Sequence, residues 1–578
     1  MAYFVADLSL VSNKEDAQNY VSLWQNLYEE TYRQSAQPSD QEVDLSFNIG
    51  GWNSSYTDKP IPEHEMREWV EQTVARILSL QPQNVLELGC GTGLLLSRIA
   101  PHCQSYTGAD ISATGLDNIR ALQKTRNDLD NITLYERAAD KLDDFADGCV
   151  DTLLINSVIQ HFPDADYLLL VLQNARRLIK TGGQIFLGDV PSLLMREAFH
   201  VSVQLFRAED DSSCGELWQG VKQKMDAEKD LQFAPAFFHA LKHLIPEISH
   251  VQIIPKPGHA HNQLTLFRYD VVLQFSANPA NVAELTWQDW QNDDLTLPAI
   301  QAQLSQQPEY VAIRGIANAR LQSVNQALVT LRAASLDSTI KDIRKQLTAP
   351  FAQGIEPEAL NELAKANGYH VELSGLSGLC DGAFDAVFTR NDRPAETNVF
   401  VPEIPAANLN QYVNNPQQVQ LTRQLIKQLR GLLQENLPEY MVPSIFTRVD
   451  MMPLSPSGKI DRKALAQLPV EVEFIREEAM VAAHDPFEKL LADVWADVLD
   501  LPQIGVEDNF FALGGNSLKI MTVANRLQRL FGEHIPPLGV FVAPTVSRFA
   551  EYLLALYPDL TSASKTPTAD VEREEGEI

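Results

Sequence analysis

Residues Asn84–Gly93 read NVLELGCGTG, and this run constrains the fold more than any other. Val85 to Leu88 reads as a buried strand, and Gly89, Gly91 and Gly93 then turn the chain sharply into a helix-like LLLSRIA. Glycine is needed at such a turn because a ligand can approach the backbone without a Cβ in the way. A strand, a glycine turn and a helix in that order belong to a parallel α/β sheet. Dinucleotide-binding sites share this pattern, and a plain structural turn is the alternative. The dehydrogenase fingerprint, however, carries its third glycine inside the helix, whereas here the glycines alternate and leucines follow.

Three further features bear on that turn. TGAD ends a second strand at Asp110, where a carboxylate binds two ribose hydroxyls. The alternative there is a helix N-terminus, since Ser112 and a helix follow. AADKLD places Asp140 after a third strand-like run, Ile132 to Tyr135, where a carboxylate would hydrogen-bond an adenine amino group. CVDTLLINSVIQHFP is an apolar strand that ends in polar Asn156, Ser157, Gln160 and His161. Carboxyl ends of strands form the ligand crevice of open α/β sheets. The Gly182–Gly183 turn, the strand QIFLGDV and the closing run FRYDVVLQF complete the series. The whole resembles the class I (Rossmann-like) methyltransferase fold. That resemblance implies S-adenosylmethionine as methyl donor, with Glu87, Gly89, Gly91, Gly93, Asp110, Asp140 and Asn156 as its binding residues. Glu87, just before the turn, is expected near the positive sulfonium by simple attraction of unlike charges.

Near the other end, Asn509 to Leu518 reads NFFALGGNSL. It resembles the core motif of peptidyl and acyl carrier domains, a four-helix bundle, which makes Ser517 the attachment point for 4'-phosphopantetheine. A serine at a helix start sets the added phosphate against free backbone N–H groups. Asn516 departs from the His or Asp more usual before that serine. LPEYMVPS and LSPSGKIDRKAL (Leu437 to Ser444 and Leu454 to Leu465) resemble the last two core motifs of adenylation domains. In that family Lys459 would stabilise charge as an acyl-adenylate forms, a task suited to a flexible point charge. The earlier adenylation motifs are absent, and the opening AYFVADL resembles the strand that precedes a methyltransferase insertion. Lys459 therefore either complements a separately encoded adenylation core or is a relic.

With those flanks, FNIGGWNSSYTDKPIP, NSVIQHFP, EAFHVSVQLFRAED and HNQLTLFRYDVV resemble the N-methyltransferase insert of nonribosomal peptide synthetases. The resemblance implies methylation of the α-amine of an aminoacyl thioester. His161 and Asp189 are the candidate proton acceptors, with Asn156 and Asn262 orienting the acceptor and Trp52 and Tyr56 as a lid. Pro191, Pro257, His259 and Gln263 depart from the pattern on the acceptor side, so oxygen or carbon methylation stays open, as does an inactive methyltransferase serving as a scaffold. Implied partners are a carrier-bound aminoacyl substrate, a phosphopantetheinyl transferase, a separate adenylation core and downstream synthetase or polyketide synthase modules.

The expected architecture is α/β. It comprises an adenylation remnant and lead-in helix (1–45), the methyltransferase (46–395), a small α+β adenylation C-terminal portion (396–470), a linker (471–483), the carrier domain (484–557) and an acidic tail (558–578). A chain of 578 residues is too long for one core, and a net charge of −30 repels nucleic acid and anionic membranes. Five scattered cysteines form no CxxC pair, so neither a disulfide framework nor a metal site is expected. The opening lacks a secretory pattern, which makes the cytoplasm the expected compartment.

Overall fold

A computed structural model describes residues 2–5, 14–35, 44–275, 285–347, 354–375, 381–392 and 409–438 and, with short gaps, 441–467 and 481–560. The chain divides into two compact units, residues 13–417 and residues 1–12 together with 418–578. Among the described residues the strands are β1 (Ala2–Phe4), β2 (Asn84–Leu88), β3 (Ser105–Asp110), β4 (Ile132–Glu136), β5 (Val150–Asn156), β6 (Ile179–Pro191), β7 (His250–Pro255), β8 (Arg268–Gln274), β9 (Trp287–Asp289), β10 (Tyr310–Ile316), β11 (Tyr369–Ser374), β12 (Phe384–Arg390) and β13 (Phe446–Arg448).

The larger unit is built on a seven-stranded sheet ordered β4-β3-β2-β5-β6-β8-β7. Strands β2 to β6 pair in parallel, and β8 runs antiparallel to both β6 and β7. This is the class I methyltransferase arrangement expected from the sequence. Side chains alternate across the sheet, so Leu153, Ile155, Ile185 and Leu187 pack with Phe233, Phe237 and Phe238 on one face. Val85, Leu154, Phe186 and Val272 pack with Trp69, Ile77, Leu96 and Ile119 on the other. Chain order reverses between β2 and β5, which opens a crevice at their carboxyl ends. The helix expected after the glycine turn is only one turn long, Leu96–Ile99, and gives way to a 3-10 turn containing Pro101.

Two boundaries differ from the expected 46–395. The helix Lys14–Ser35 belongs to the same compact unit as the sheet, and so do residues up to Gln417. The latter are held by main-chain pairing: Ala234 N–H donates to Tyr412 O at 2.8 Å. Residues 46–395 also hold two sheets. Strands β11-β12-β10-β9 form a separate four-stranded sheet with its own core of Ile313, Leu360, Phe384 and Phe388.

In the other unit β1 pairs in parallel with β13, Ala2 opposite Phe446. Lys459 lies exposed on a short hairpin in which Ser455 N–H donates to Lys459 O at 2.7 Å. Four helices follow: Pro486–Leu499, Ser517–Phe531, Leu538–Val542 and Val546–Leu556. Their core centres on fully buried Trp495, whose ring lies 4.7 Å from Phe510 and 5.7 Å from Phe549. Residues 468–480, most of the expected linker, and the acidic stretch 561–578 lie outside the described residues.

A buried charge cluster joins β6, β8 and the helix Glu63–Ser79. Asp270 is fully buried between Arg76 Nη1 at 2.5 Å and Lys256 Nζ at 3.0 Å, and also accepts from the Asp189 N–H at 2.9 Å. Burial alone would raise its carboxyl, but Lys256 and Arg76 hold it below the ordinary range. Asp270→Ala is therefore expected to leave the 1%-exposed Lys256 with only Asp189, 3.7 Å away, and Arg76 without its carboxylate, and to cost about 3–5 kcal/mol, read as an earlier denaturant midpoint. Asp497, whose side chain is 75% exposed in its pair with Arg526, is the control site; its alanine variant is expected to change stability by at most about 1 kcal/mol.

Candidate functional site

A cavity of about 300 Å³ opens at the carboxyl ends of β2, β3 and β5, lined in part by Glu87, Gly89, Gly91, Asp110, Asn156 and His161. Gly89 and Gly91 sit at φ +77° and +53°, in the left-handed region where glycine is unstrained. A Cβ on Gly89 would lie 2.3 Å from the Val158 side chain, and one on Gly91 2.9 Å from the Tyr32 hydroxyl. Gly93, also left-handed, packs against Ile119 and supports the turn without lining the cavity. Asp110 is oriented by the backbone, since Gly91 N–H donates to one oxygen at 2.7 Å and Ser112 N–H to the other at 2.8 Å. Burial raises its carboxyl even so. Ser112 caps the next helix, Ala113–Gln123. Glu87 is 3% exposed and accepts a 2.8 Å hydrogen bond from Tyr106. Burial pushes its carboxyl up to about 8, against the lowering effect of that bond.

The sequence reading missed the cover of this cavity. The helix Lys14–Ser35 presents Tyr20, Trp24, Tyr28 and Tyr32 at four-residue spacing, a single helical face. Trp24, Tyr28 and Tyr32 line the cavity. Glu29 anchors the helix by accepting from Ser112 Oγ at 2.6 Å and from the Thr114 hydroxyl, while Gln25 donates to Ile111 O at 2.9 Å. Of the two expected lid residues, Trp52 lines the cavity and packs on Trp69 at 5.0 Å. Tyr56 does not; its hydroxyl pairs with Ser202 Oγ at 2.8 Å.

The expected catalytic groups separate. Asn156 lines the cavity, with Nδ2 donating to Ser157 Oγ at 3.1 Å and Oδ1 unpartnered among the described residues. Gln160 Oε1, buried beside it, is unpartnered in the same sense. His161 also lines the cavity, but its Nε2 is 2.6 Å from the Tyr28 hydroxyl and the Trp24 ring lies tilted against it at 4.1 Å. Burial, aided by Arg268, lowers the imidazole to about 3, so it stays neutral and is a poor base. Asp189 does not reach the cavity. It is fully buried at φ +63°, accepting from Arg268 at 2.6 Å, Ser157 at 2.8 Å and Trp69 Nε1 at 3.2 Å. Three donors and a buried cation leave it no role as a free base; it fixes the wall.

Two further positions are corrected. Asp140 is not among the residues that line the cavity, although Ala138, Ala139 and Tyr167 are; its carboxylate accepts from the Tyr167 hydroxyl at 2.9 Å and Lys141 at 2.7 Å. Asn262 caps the short helix Gln263–Phe267 and donates to Glu65 at 2.8 Å, leaving Gln263 to line the cavity. A further side chain that sequence reasoning missed is Asp230. It lines this cavity and also a second, of about 420 Å³, lined in part by Ser192, Arg196, His200, Arg207 and Lys224. Gln263 and Arg268 are the other residues common to both.

Comparison with known proteins agrees with this arrangement. Residues 86–185 match the family described as a methyltransferase domain, and residues 489–553 that described as a phosphopantetheine attachment site. Chondramide synthase of Chondromyces crocatus is 38% identical over 579 residues, which cover 98% of this chain and 14% of the synthase. Nonribosomal peptide synthetase agiA of Aspergillus flavus is 28% identical over 579 residues, covering 95% of this chain and 7% of its own length. This chain thus spans a small part of each relative. A chain in the solved complex of the phosphopantetheine transferase Sfp with coenzyme A and a peptidyl carrier protein is 37% identical over 13% of this chain and 97% of its own, with a TM-score of 0.13. The chain is a stretch of nonribosomal peptide synthetase carrying an S-adenosylmethionine-dependent methyltransferase domain and a phosphopantetheine carrier domain.

Proposed function

We propose that this chain methylates the α-nitrogen of an aminoacyl group held as a phosphopantetheine thioester on Ser517. One observation carries the choice of nitrogen. The cavity gathers oxygen acceptors that no protein donor satisfies among the described residues: the Asp230 carboxylate, Asn156 Oδ1 and Gln160 Oε1. Buried acceptors without donors call for a ligand rich in N–H groups or positive charge. Both a sulfonium-bearing amino acid donor and an α-ammonium acceptor answer that need. Arg268 also faces the cavity but is neutralised by Asp189.

The residues present fit the donor. Glu87 is placed for its positive amino acid portion, Asp110 for ribose hydroxyls, and the Gly89–Gly91 backbone forms a cradle that a Cβ would fill. When bound, the donor supplies an electrophilic methyl group on positively charged sulfur. The protein's own contribution is alignment and dryness. Near-attack positioning lowers such barriers by about 7–11 kcal/mol, and Trp24, Tyr28 and Trp52 wall off water. A phosphopantetheinyl transferase would prime Ser517, the first residue of its helix, and a separate adenylation core would charge it. Lys459, exposed on its hairpin, is available to complement such a core.

The decisive experiment loads Ser517 with a panel of aminoacyl-pantetheines, adds S-adenosylmethionine and reads the carrier by intact and fragment mass spectrometry. One methyl on the α-nitrogen is expected, and Ser517→Ala should carry neither load nor methyl. A methyl on oxygen or carbon would replace the nitrogen assignment, and no methyl on a demonstrably loaded carrier would overturn the reading.

Donor binding should depend on pH through Glu87. Its carboxyl is neutral below about 8 in the free site, and a cationic ligand favours the ionised form. Binding then expels a proton, so affinity should rise with pH, by up to about tenfold per unit, and level off above that value. Titration calorimetry checks this, with Glu87→Gln expected to lose that share of the slope.

A further inference from the structure

Asp230 stands at the junction of the two cavities, on the polar run between the helix Cys214–Asp226 and Phe233. Its side chain is 30% exposed, and no donor is hydrogen-bonded to its carboxylate among the described residues. A carboxylate that opens onto two cavities and accepts from no protein donor is free to meet a ligand's N–H or positive charge. Four other carboxylates near the site are engaged: Asp110 by backbone N–H groups, Glu87 by Tyr106, Asp189 by Arg268 and Glu228 by the Lys229 and Asp230 N–H groups.

We propose that Asp230 is the general base of the reaction, taking the proton from the acceptor's α-ammonium as the acceptor arrives through the second cavity. The inference rests on the nitrogen reading above. In the step itself one N–H bond breaks, its electron pair remains on nitrogen as the lone pair, and the proton passes to an Asp230 carboxylate oxygen. The neutral amine is then the nucleophile, which an ammonium cannot be.

The groups around Asp230 set its proton affinity near what this step needs. Burial raises the carboxyl to about 7, with Glu228 on the same run and Asp189 of β6 adding to the rise and Arg268 of β8 opposing it. Tyr20 and Tyr28 face it from the covering helix, and burial first and then the Asp230 charge keep both hydroxyls protonated. His161 Nδ1 lies 3.6 Å from Asp230 Oδ1. The tautomer with its hydrogen on Nδ1 turns that hydrogen toward the carboxylate and leaves Nε2 to accept from the Tyr28 hydroxyl. The opposite tautomer would set a lone pair against a negative charge. His161 is thus a positioning residue for Asp230, which reconciles its place in the cavity with its low basicity. An α-ammonium of pKa about 7.7–8.0 can pass its proton to such a base without a large uphill step, as efficient general catalysis requires.

The test uses the full chain with carrier loaded as above. In the wild type, the methyl is first located by fragmentation; a methyl on carbon or oxygen overturns the nitrogen reading and the base with it. Given nitrogen methylation, Asp230→Asn is expected to keep donor affinity by calorimetry while single-turnover rates fall by about 10²–10⁴-fold. The loss should shrink as pH rises past the amine's own pKa, because solvent then removes the proton. Infrared difference spectra between the wild type and Asp230→Asn should show a protonated-carboxyl band that titrates near 7. Asp230→Glu, which keeps the function at altered reach, should retain the pH break at reduced rate and decides the matter if the asparagine variant fails to fold. An Asp230→Asn enzyme within threefold of wild type (about 0.7 kcal/mol) at every pH, or the absence of the titrating band, would overturn the proposal.

Discussion

The methyltransferase site depends on a charge cluster that contacts no ligand. Asp189 and Asp270, both fully buried, are held by Arg76, Lys256 and Arg268 through contacts of 2.5–3.7 Å. Such a cluster is stabilising only when every charge is paired, and it makes any displacement of one member expensive. Its geometric product is the far wall of the cavity. Asp189 pulls Arg268 and Ser157 into register and anchors the Trp69 ring on which Trp52 lies. Ser157 and Asp189 both take left-handed backbone conformations at the ends of β5 and β6. That strain is tolerated because the surrounding bonds over-determine it.

Over that rigid floor lies a cover made of one amphipathic helix. Its aromatic stripe supplies apolar surface and three hydroxyls, while Glu29 holds its polar side to the start of the helix Ala113–Gln123. A carboxylate at a helix N-terminus is favoured by the dipole as well as by its hydrogen bonds. The lid and the ribose-side strand end are therefore tied to one another: Asp110 orients Ser112 N–H, and Ser112 Oγ meets Glu29. The low polarity under this cover explains why Glu87 and Asp230 both hold protons far above the usual carboxylate range.

Much of this could be read from the chain alone, because the donor side is made of local sequence. The glycine turn, Glu87, Asp110 and Asn156 occur where a strand ends, and strand ends are visible as breaks in apolar runs. Asp189 was also at a strand end, but whether such a side chain faces a ligand or an ion cluster is set by Arg268, 79 residues away. Asp230 was invisible for the opposite reason: it lies in DAEKD, a polar run without period, among three other charged residues. The lid did carry a signal, since aromatics at 20, 24, 28 and 32 mark one helical face. Its remoteness in sequence from the glycine turn hid the relationship. The second sheet escaped because its strands have the same apolar, β-branched character as those of the first.

The parallel pairing of β1 with β13 also bears on how so large a unit can sit inside another domain's chain. The host sheet requires residues near 4 and 446 to be neighbours, with several hundred residues between them. Closing a flexible loop of that length costs only about 3 kcal/mol more than closing one of ten residues, because the entropy grows with the logarithm of length. A folded insert reduces even that, since what must be bridged is only the distance between its own ends. The host pays almost nothing for the passenger, so an entire enzyme can be accepted or lost at this point while the strand pairing that surrounds it stays the same.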